Sequence, residues 1–321
     1  MSYTKRTLEE LDLMDDFLMN AVASDPDVRE GFCRRLLSVL LQKEIGKVKV
    51  KVQKAIVPER PDLRGIRMDV KVEEVVQERV TKPTEEQGIA EQSGDSEEWK
   101  ERITDIYDIE PHRRDDCNLP RRSRFYQAKI DSKNMRSGEV DFARIPNLYV
   151  ITFTDYDPFD MDYMMYVFRN RCDQVPGLTY DDGLQFIYFY TKGTKGGCKD
   201  IKNMLEYMRN SNKTNAVDEA TREIHDYVRQ VKVDPEVKVG YMRFDEIINY
   251  ERQDAKEEGI QEGMLESKRE DILELLESYG VVPEEIRSRI VEERDIAVLK
   301  KWFQLATKID SIEKFVKEMD A

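Results

Sequence analysis

Leu11, Met14, Leu18 and Val22 recur at helical spacing, and Thr7 with Glu10 three residues on forms a capping-box pattern. The chain is therefore expected to open with a helix that Asp25-Pro26 breaks. A second helix carries Phe32, Leu36, Leu37, Leu40 and Leu41 on one face and is expected to end at Gly46. Residues 47–57 alternate charge with Val, the period of a half-buried strand. A turn at Pro61, Asp62 and Gly65 leads into a strand over 66–72, with 103–110 as its expected neighbour. After Pro120 the pattern is helical to about Met135, and Gly138 interrupts it. Residues 148–154, 163–169 and 184–191 read as strands separated by turns at Pro176-Gly177 and Asp181-Asp182-Gly183. From Cys198 onward the chain is mostly helical, interrupted near Asp234-Pro235. A long charged helix over 244–279 stops at Gly280, and short helices follow from Pro283. The order predicts an α/β fold: a mixed-sheet core over residues 1–232 and a helical C-terminal region over 233–321. No repeat of solenoid period is present.

Charge changes this picture in two places. The 321 residues carry 52 Lys and Arg against 66 Asp and Glu, a net charge of −14. Taken whole, such a chain repels nucleic acid. The acidity is local, however. Residues 73–101 hold ten acids and three bases, with Pro83, Gly88, Ser93 and Gly94, and read as a solvated loop inserted between two core strands. Residues 233–321 hold 23 acids and 14 bases, whereas residues 112–136 hold eight bases and three acids. The acidic insertion is expected to act as a screen over a neighbouring site. No stretch reaches the ~18 apolar residues of a membrane helix. The N-terminus lacks an apolar signal region, and the four cysteines form no CxxC pair. A cytoplasmic protein with reduced thiols and no membrane contact is expected.

The candidate chemistry lies on the strand pair. Asp69 sits in RMDVKV, Glu110 ends DIYDIE, and His112 follows two residues on. Residues i and i+2 of a strand share a face, so Glu110 and His112 point the same way if the strand runs through Pro111, which suits a strand end or edge. Two carboxylates on adjacent strands offer hard oxygen ligands for Mg²⁺ or Mn²⁺. The basic stretch that follows suits a phosphate backbone, with Arg113, Arg121, Arg122, Arg124 and Lys129 as candidate DNA contacts. The plainer reading is a solvated helix whose arginines pair with nearby acids.

These segments resemble the PD-(D/E)XK nuclease family transposases, the Rpn or recombination-promoting nuclease family. The resemblance spans roughly residues 8–280. It is carried by DLMDDFLMNAVASDPD, RGIRMDVKV, YDIEPHR, DDGLQFIYFYTKG and, most specifically, RRSRFYQAKIDSKNMRSGEVDFARIPNLYVITFTDYDPF. It implies a restriction-endonuclease-like core in which Asp69 and Glu110 bind Mg²⁺. Asp16 would match an acidic residue that some superfamily members place near the metal. Two features depart from the pattern. His112 stands where the superfamily has Lys and this branch commonly Gln, and Asp69 and Glu110 are separated by the acidic insertion.

The leading expectation is a metal-dependent DNA endonuclease associated with transposition or recombination, with Asp69, Glu110 and His112 catalytic. The alternative is a catalytically inactive DNA-binding or assembly protein that keeps the fold. A third reading is a homodimer through the C-terminal helices, using Leu273, Leu275, Leu276, Val298, Leu299, Trp302 and Phe303.

Overall fold

The computed structural model describes residues 6–56, 66–81, 97–113, 118–134 and 141–319. The expected turn at Pro61, Asp62 and Gly65 lies outside them, as do Pro83, Gly88, Ser93 and Gly94 of the acidic segment, Met135 and Gly138. The chain divides into two compact units, Met1–Tyr241 and Met242–Ala321. The division falls C-terminal to the expected 232/233 boundary.

The first unit is built on a six-stranded mixed sheet: β1 (Lys47–Ile56), β2 (Ile66–Thr81), β3 (Glu97–His112), β4 (Asn147–Thr154), β5 (Met165–Phe168) and β6 (Leu184–Tyr190). The strand order is β1-β2-β3-β4-β6-β5. The β1, β2 and β3 strands pair antiparallel, β4 joins β3 and β6 in parallel, and β5 closes the edge antiparallel to β6. In β4 and β6 the side chains on both faces are largely removed from water, which is why LYVITF and LQFIYF are nearly continuous apolar runs. In β1 Val48, Val50 and Val52 face the core, and Lys47, Lys49 and Lys51 stay in water.

One sheet face carries the main core. Val70, Val72, Tyr107, Ile109, Ile151, Phe153, Ile187 and Phe189 meet there with the helices α1 (Asp16–Ser24), α2 (Arg29–Leu41), α4 (Lys199–Arg209) and α5 (Glu219–Val233). The opposite face is covered by α3 (Leu119–Asn134). There Ile130 packs with Ile106, Leu148 and Val150, and the Tyr188 hydroxyl donates to Ser123 Oγ at 3.0 Å.

Several boundaries differ from the sequence expectation, each for a local reason. The first helix is not continuous. A single 3₁₀ turn, Leu8–Glu10, carries the Thr7–Glu10 cap, with the Thr7 amide on Glu10 Oε2 at 2.6 Å. The next residues then turn away from helix. The Met14 amide donates to Asp12 Oδ1 (2.9 Å) and the Asp12 amide to Asp15 Oδ2 (2.8 Å). Acids that bond nearby amides compete with the helix ladder in this way. The α2 helix ends on Gln42 in the left-handed region (φ 51°), not on Gly46. Much of the acidic insertion is strand, because β2 runs on to Thr81 and β3 starts at Glu97.

The second unit has its own core. The C-terminal part of α6 (Pro235–Glu277) packs with α7 (Glu284–Glu292), α8 (Ile296–Ala306) and α9 (Ile312–Glu318) around Ile272, Leu276, Ile290, Leu299, Trp302 and Phe315. Trp302 Nε1 donates to the Met319 carbonyl at 2.9 Å. Of the residues named for a dimer, Leu276, Leu299 and Trp302 are buried in this cluster, and Leu273, Leu275, Val298 and Phe303 are partly buried against it. Among the described residues no helix is long and apolar enough to cross a membrane.

Phe153 is fully buried and stacks on Phe189 at 5.2 Å between centroids, next to Thr152 on the opposite sheet face. Phe153→Ala is expected to cost about 3–5 kcal/mol in urea unfolding. A loss below about 1 kcal/mol would contradict this packing.

Candidate functional site

The pairing of β2 with β3 sets the site. Val70 lies opposite Ile109, and Lys71 opposite Asp108. Side chains alternate across a sheet. With Val70, Val72, Tyr107 and Ile109 committed to the core face, Asp69, Lys71 and Glu73 on β2 share the α3 face with Asp108, Glu110 and His112 on β3. On β4, Thr152 sits beside Glu110 and Thr154 beside His112. The carboxyl-terminal ends of the parallel strands β3 and β4 meet here, the usual ligand position of open α/β sheets. Pro111 falls next to the end of β3, so the strand does continue through it to His112.

Two carboxylates are buried. Asp108 is fully inaccessible and Glu110 is 6 % exposed. Among the described residues, neither Asp108 oxygen nor Glu110 Oε1 meets a hydrogen-bond donor. The other Glu110 oxygen accepts from Arg122 Nη2 of α3 at 3.4 Å, and the same nitrogen donates to the Tyr126 hydroxyl at 3.2 Å. Burial, then the charge of Asp69, pushes the Asp108 carboxyl above its ordinary range, against Lys71 and Arg122. Burial, then the charge of Asp108, pushes Glu110 up as well, with Arg122 opposing and Asp69 adding to the shift. Lys71 is itself buried. Its Nζ rests on Glu73 Oε1 at 2.7 Å, and Glu73 Oε2 takes Lys51 of β1 at 2.7 Å.

The fold therefore brings Asp69, Glu110 and His112 to one face and one end of the strand pair, and adds Asp108 and Lys71. Asp16 is exposed at the start of α1, directly after the loop that Arg113 holds through the Met14 carbonyl, Asp12 and Asp15. Among the described residues no group of three or more His, Cys, Asp or Glu side chains is gathered into a ready ligand set. The buried, donorless oxygens of Asp108 and Glu110 nonetheless suit a hard cation. Mg²⁺ keeps several of its waters and needs only one or two protein carboxylates.

The basic residues divide. Arg113 is held in the fold by the Met14 carbonyl at 3.1 Å and by Asp12 and Asp15. Arg122 turns inward to Glu110. Arg121 and Arg124 are exposed on α3, and Lys129 lies over the Phe125 ring with 5.6 Å to its centroid. Arg114, Asp115, Asp116 and Arg136 lie outside the described residues. Residues 82–96, the middle of the acidic segment expected to screen the site, lie outside the described residues, and only its strand stems are described. Thr81 pairs with Glu97 at the far end of the hairpin, roughly 40 Å along β2 from Asp69 at ~3.3 Å per residue.

Asp108 and Lys71 are the residues the sequence reading missed. The signal for each is the two-residue step: Asp108 precedes Glu110 by the same interval at which His112 follows it, and Lys71 follows Asp69 likewise.

Raised carboxyl pKa values carry a definite sign. Between the ordinary carboxylate range and the raised values the folded state holds more protons than the unfolded one, so stability falls as pH rises. Asp108→Asn removes that cost. Its Tm is expected to exceed the parent's near pH 8, by a gain worth more than about 1 kcal/mol, and the gain is expected to shrink near pH 5. An equal loss of Tm at both pH values would show a satisfied structural carboxylate instead. In comparisons with protein-family profiles, with curated proteins and with solved structures, nothing matches this chain.

Proposed function

We propose that the chain is a metal-dependent DNA endonuclease with a restriction-endonuclease-like core, of the PD-(D/E)XK type that its motifs resemble. Transposition or recombination is the setting the resemblance suggests. The observation that carries the reading is the pair of buried carboxylates, Asp108 and Glu110, beside Asp69 at the strand ends, where both Asp108 oxygens and Glu110 Oε1 lack donors among the described residues. Burying like charges is costly and adds nothing to folding, so their presence supports a ligand of opposite charge.

One or two of the carboxylates Asp69, Asp108 and Glu110 would hold Mg²⁺ or Mn²⁺, with water completing the ion's shell. Such an ion lowers the pKa of a bound water and neutralises charge on a phosphodiester. Arg122 fixes the Glu110 carboxylate from α3 and offers a permanent cation at the pocket's edge. Lys71 lowers the charge cost of Asp108 from the neighbouring strand. His112, two residues beyond Glu110 on the same face, is placed to orient water or to take its proton. Arg121, Arg124 and Lys129 on α3 supply sequence-independent contacts to the backbone.

The second reading is an inactive DNA-binding or assembly protein, favoured by the lack of a ready three-ligand set among the described residues. Cleavage of supercoiled plasmid with Mg²⁺ or Mn²⁺ separates the two. The nuclease reading expects metal-dependent nicking that Asp69→Ala and Glu110→Ala each reduce by about 10²–10³. Parent-level cutting in both variants would overturn the site. No cutting by the parent with either metal, while it still binds DNA, would favour the second reading.

A further inference from the structure

The outer face of β1 carries a row of cations, Lys47, Lys49 and Lys51. Val48 is fully buried, and Val50 and Val52 pack against the core. Lys47, Lys49 and Lys51 therefore share the opposite face, with side chains 61, 48 and 46 % exposed. Their spacing along the strand is ~6.6 Å per step. The register leads this row to the carboxylates. Lys51 lies opposite Lys71, and Lys71 opposite Asp108. With strands ~4.8 Å apart, the row ends roughly 10 Å from Asp108.

The acids beside the row hold the lysines in place without cancelling them. Glu101 of β3 takes both Lys47 (2.9 Å) and Lys49, and Glu73 takes both Lys51 and Lys71 at 2.7 Å. Four lysines thus face two glutamates. The pairs of Lys47 and Lys49 with Glu101 are exposed, and such pairs are worth at most about 1 kcal/mol each, so an incoming phosphate can compete for these outward ammonium groups. An α3 surface alone would touch a substrate on one side of the carboxylates. The β1 row supplies the other side.

We infer that the Lys47–Lys49–Lys51 face of β1 is a track for the phosphodiester backbone of DNA leading to the Asp69–Asp108–Glu110 site. This rests on the nuclease reading of that site. The probes are labelled single-stranded and duplex DNA, with the full chain in chelator, read by fluorescence anisotropy over a salt series. The variant replacing Lys47, Lys49 and Lys51 with Gln is expected to bind at least 10-fold more weakly. Its log K against log salt slope is expected to flatten by roughly 0.7 per lysine on a single strand, or 0.9 on a duplex. The probe that shows the larger change identifies the form that follows the track. Glu101→Gln is expected to act in the opposite direction, tightening binding several-fold, which damage to the fold would not do. Parent-like affinity and slope in the triple variant, with the parent still binding, would overturn the track and leave the carboxylate site standing. A parent that binds neither probe would overturn the track together with the reading it rests on.

Discussion

Burying like charges against an apolar sheet is the constraint on which the rest of this protein depends. Once Val70 and Ile109 are paired and turned into the main core, alternation leaves Asp69, Asp108 and Glu110 no choice of face. The α3 helix then closes over them through Ile130, Ser123 and Arg122. Packing that stabilises the sheet thus removes water from two carboxylates and raises the affinity of both for protons. A one-residue slip of β2 against β3 would put the acids into the core and Val70 under α3, so the register is strongly specified.

Burying these carboxylates without donors lowers stability. The unit offsets that cost with cations placed around the acids. Arg122 reaches Glu110 from the helix, and Lys71 reaches toward Asp108 from the next strand while resting on Glu73. Neither gives Asp108 a hydrogen bond among the described residues. The arrangement moderates the repulsion and keeps the acceptors open. The α3 helix presents Arg121 and Arg124 outward on one side, and β1 presents its lysines on the other. The net charge of −14 therefore says little about the surface around the site.

Much of the architecture was legible in the sequence. Period-two alternation in 47–57, the apolar runs of β4 and β6, and the helical spacing in α2 each survive folding, because a single local period decides them. The broken first helix was not legible, since Asp12 and Asp15 act through amide bonds and through Arg6 and Arg113, the latter a hundred positions away in sequence. The length of β2 and β3 was hidden for a related reason. Glu, Gln, Lys and Arg at 73–81 and 97–102 look like loop composition, yet cross-strand pairing holds them as strand. Within the site, Asp69 and Glu110 stand out beside β-prone runs. The burial of Asp108 and Lys71 does not, because it is created by α3 and β4 and leaves no mark on the residues themselves. Arg113 shows the converse. Its place in a basic stretch suggested a substrate contact, and the fold uses it to hold the loop before α1.

The central proposal is that burial raises the proton affinity of Asp108 and Glu110 and that a divalent cation displaces those protons on binding. Isothermal titration of the parent with Mn²⁺ near pH 7, run in two buffers of different ionisation enthalpy, tests it directly. The account predicts one bound ion and a heat that differs between the buffers, because binding expels carboxyl protons. No binding at millimolar metal, or binding with the same heat in both buffers, would contradict it.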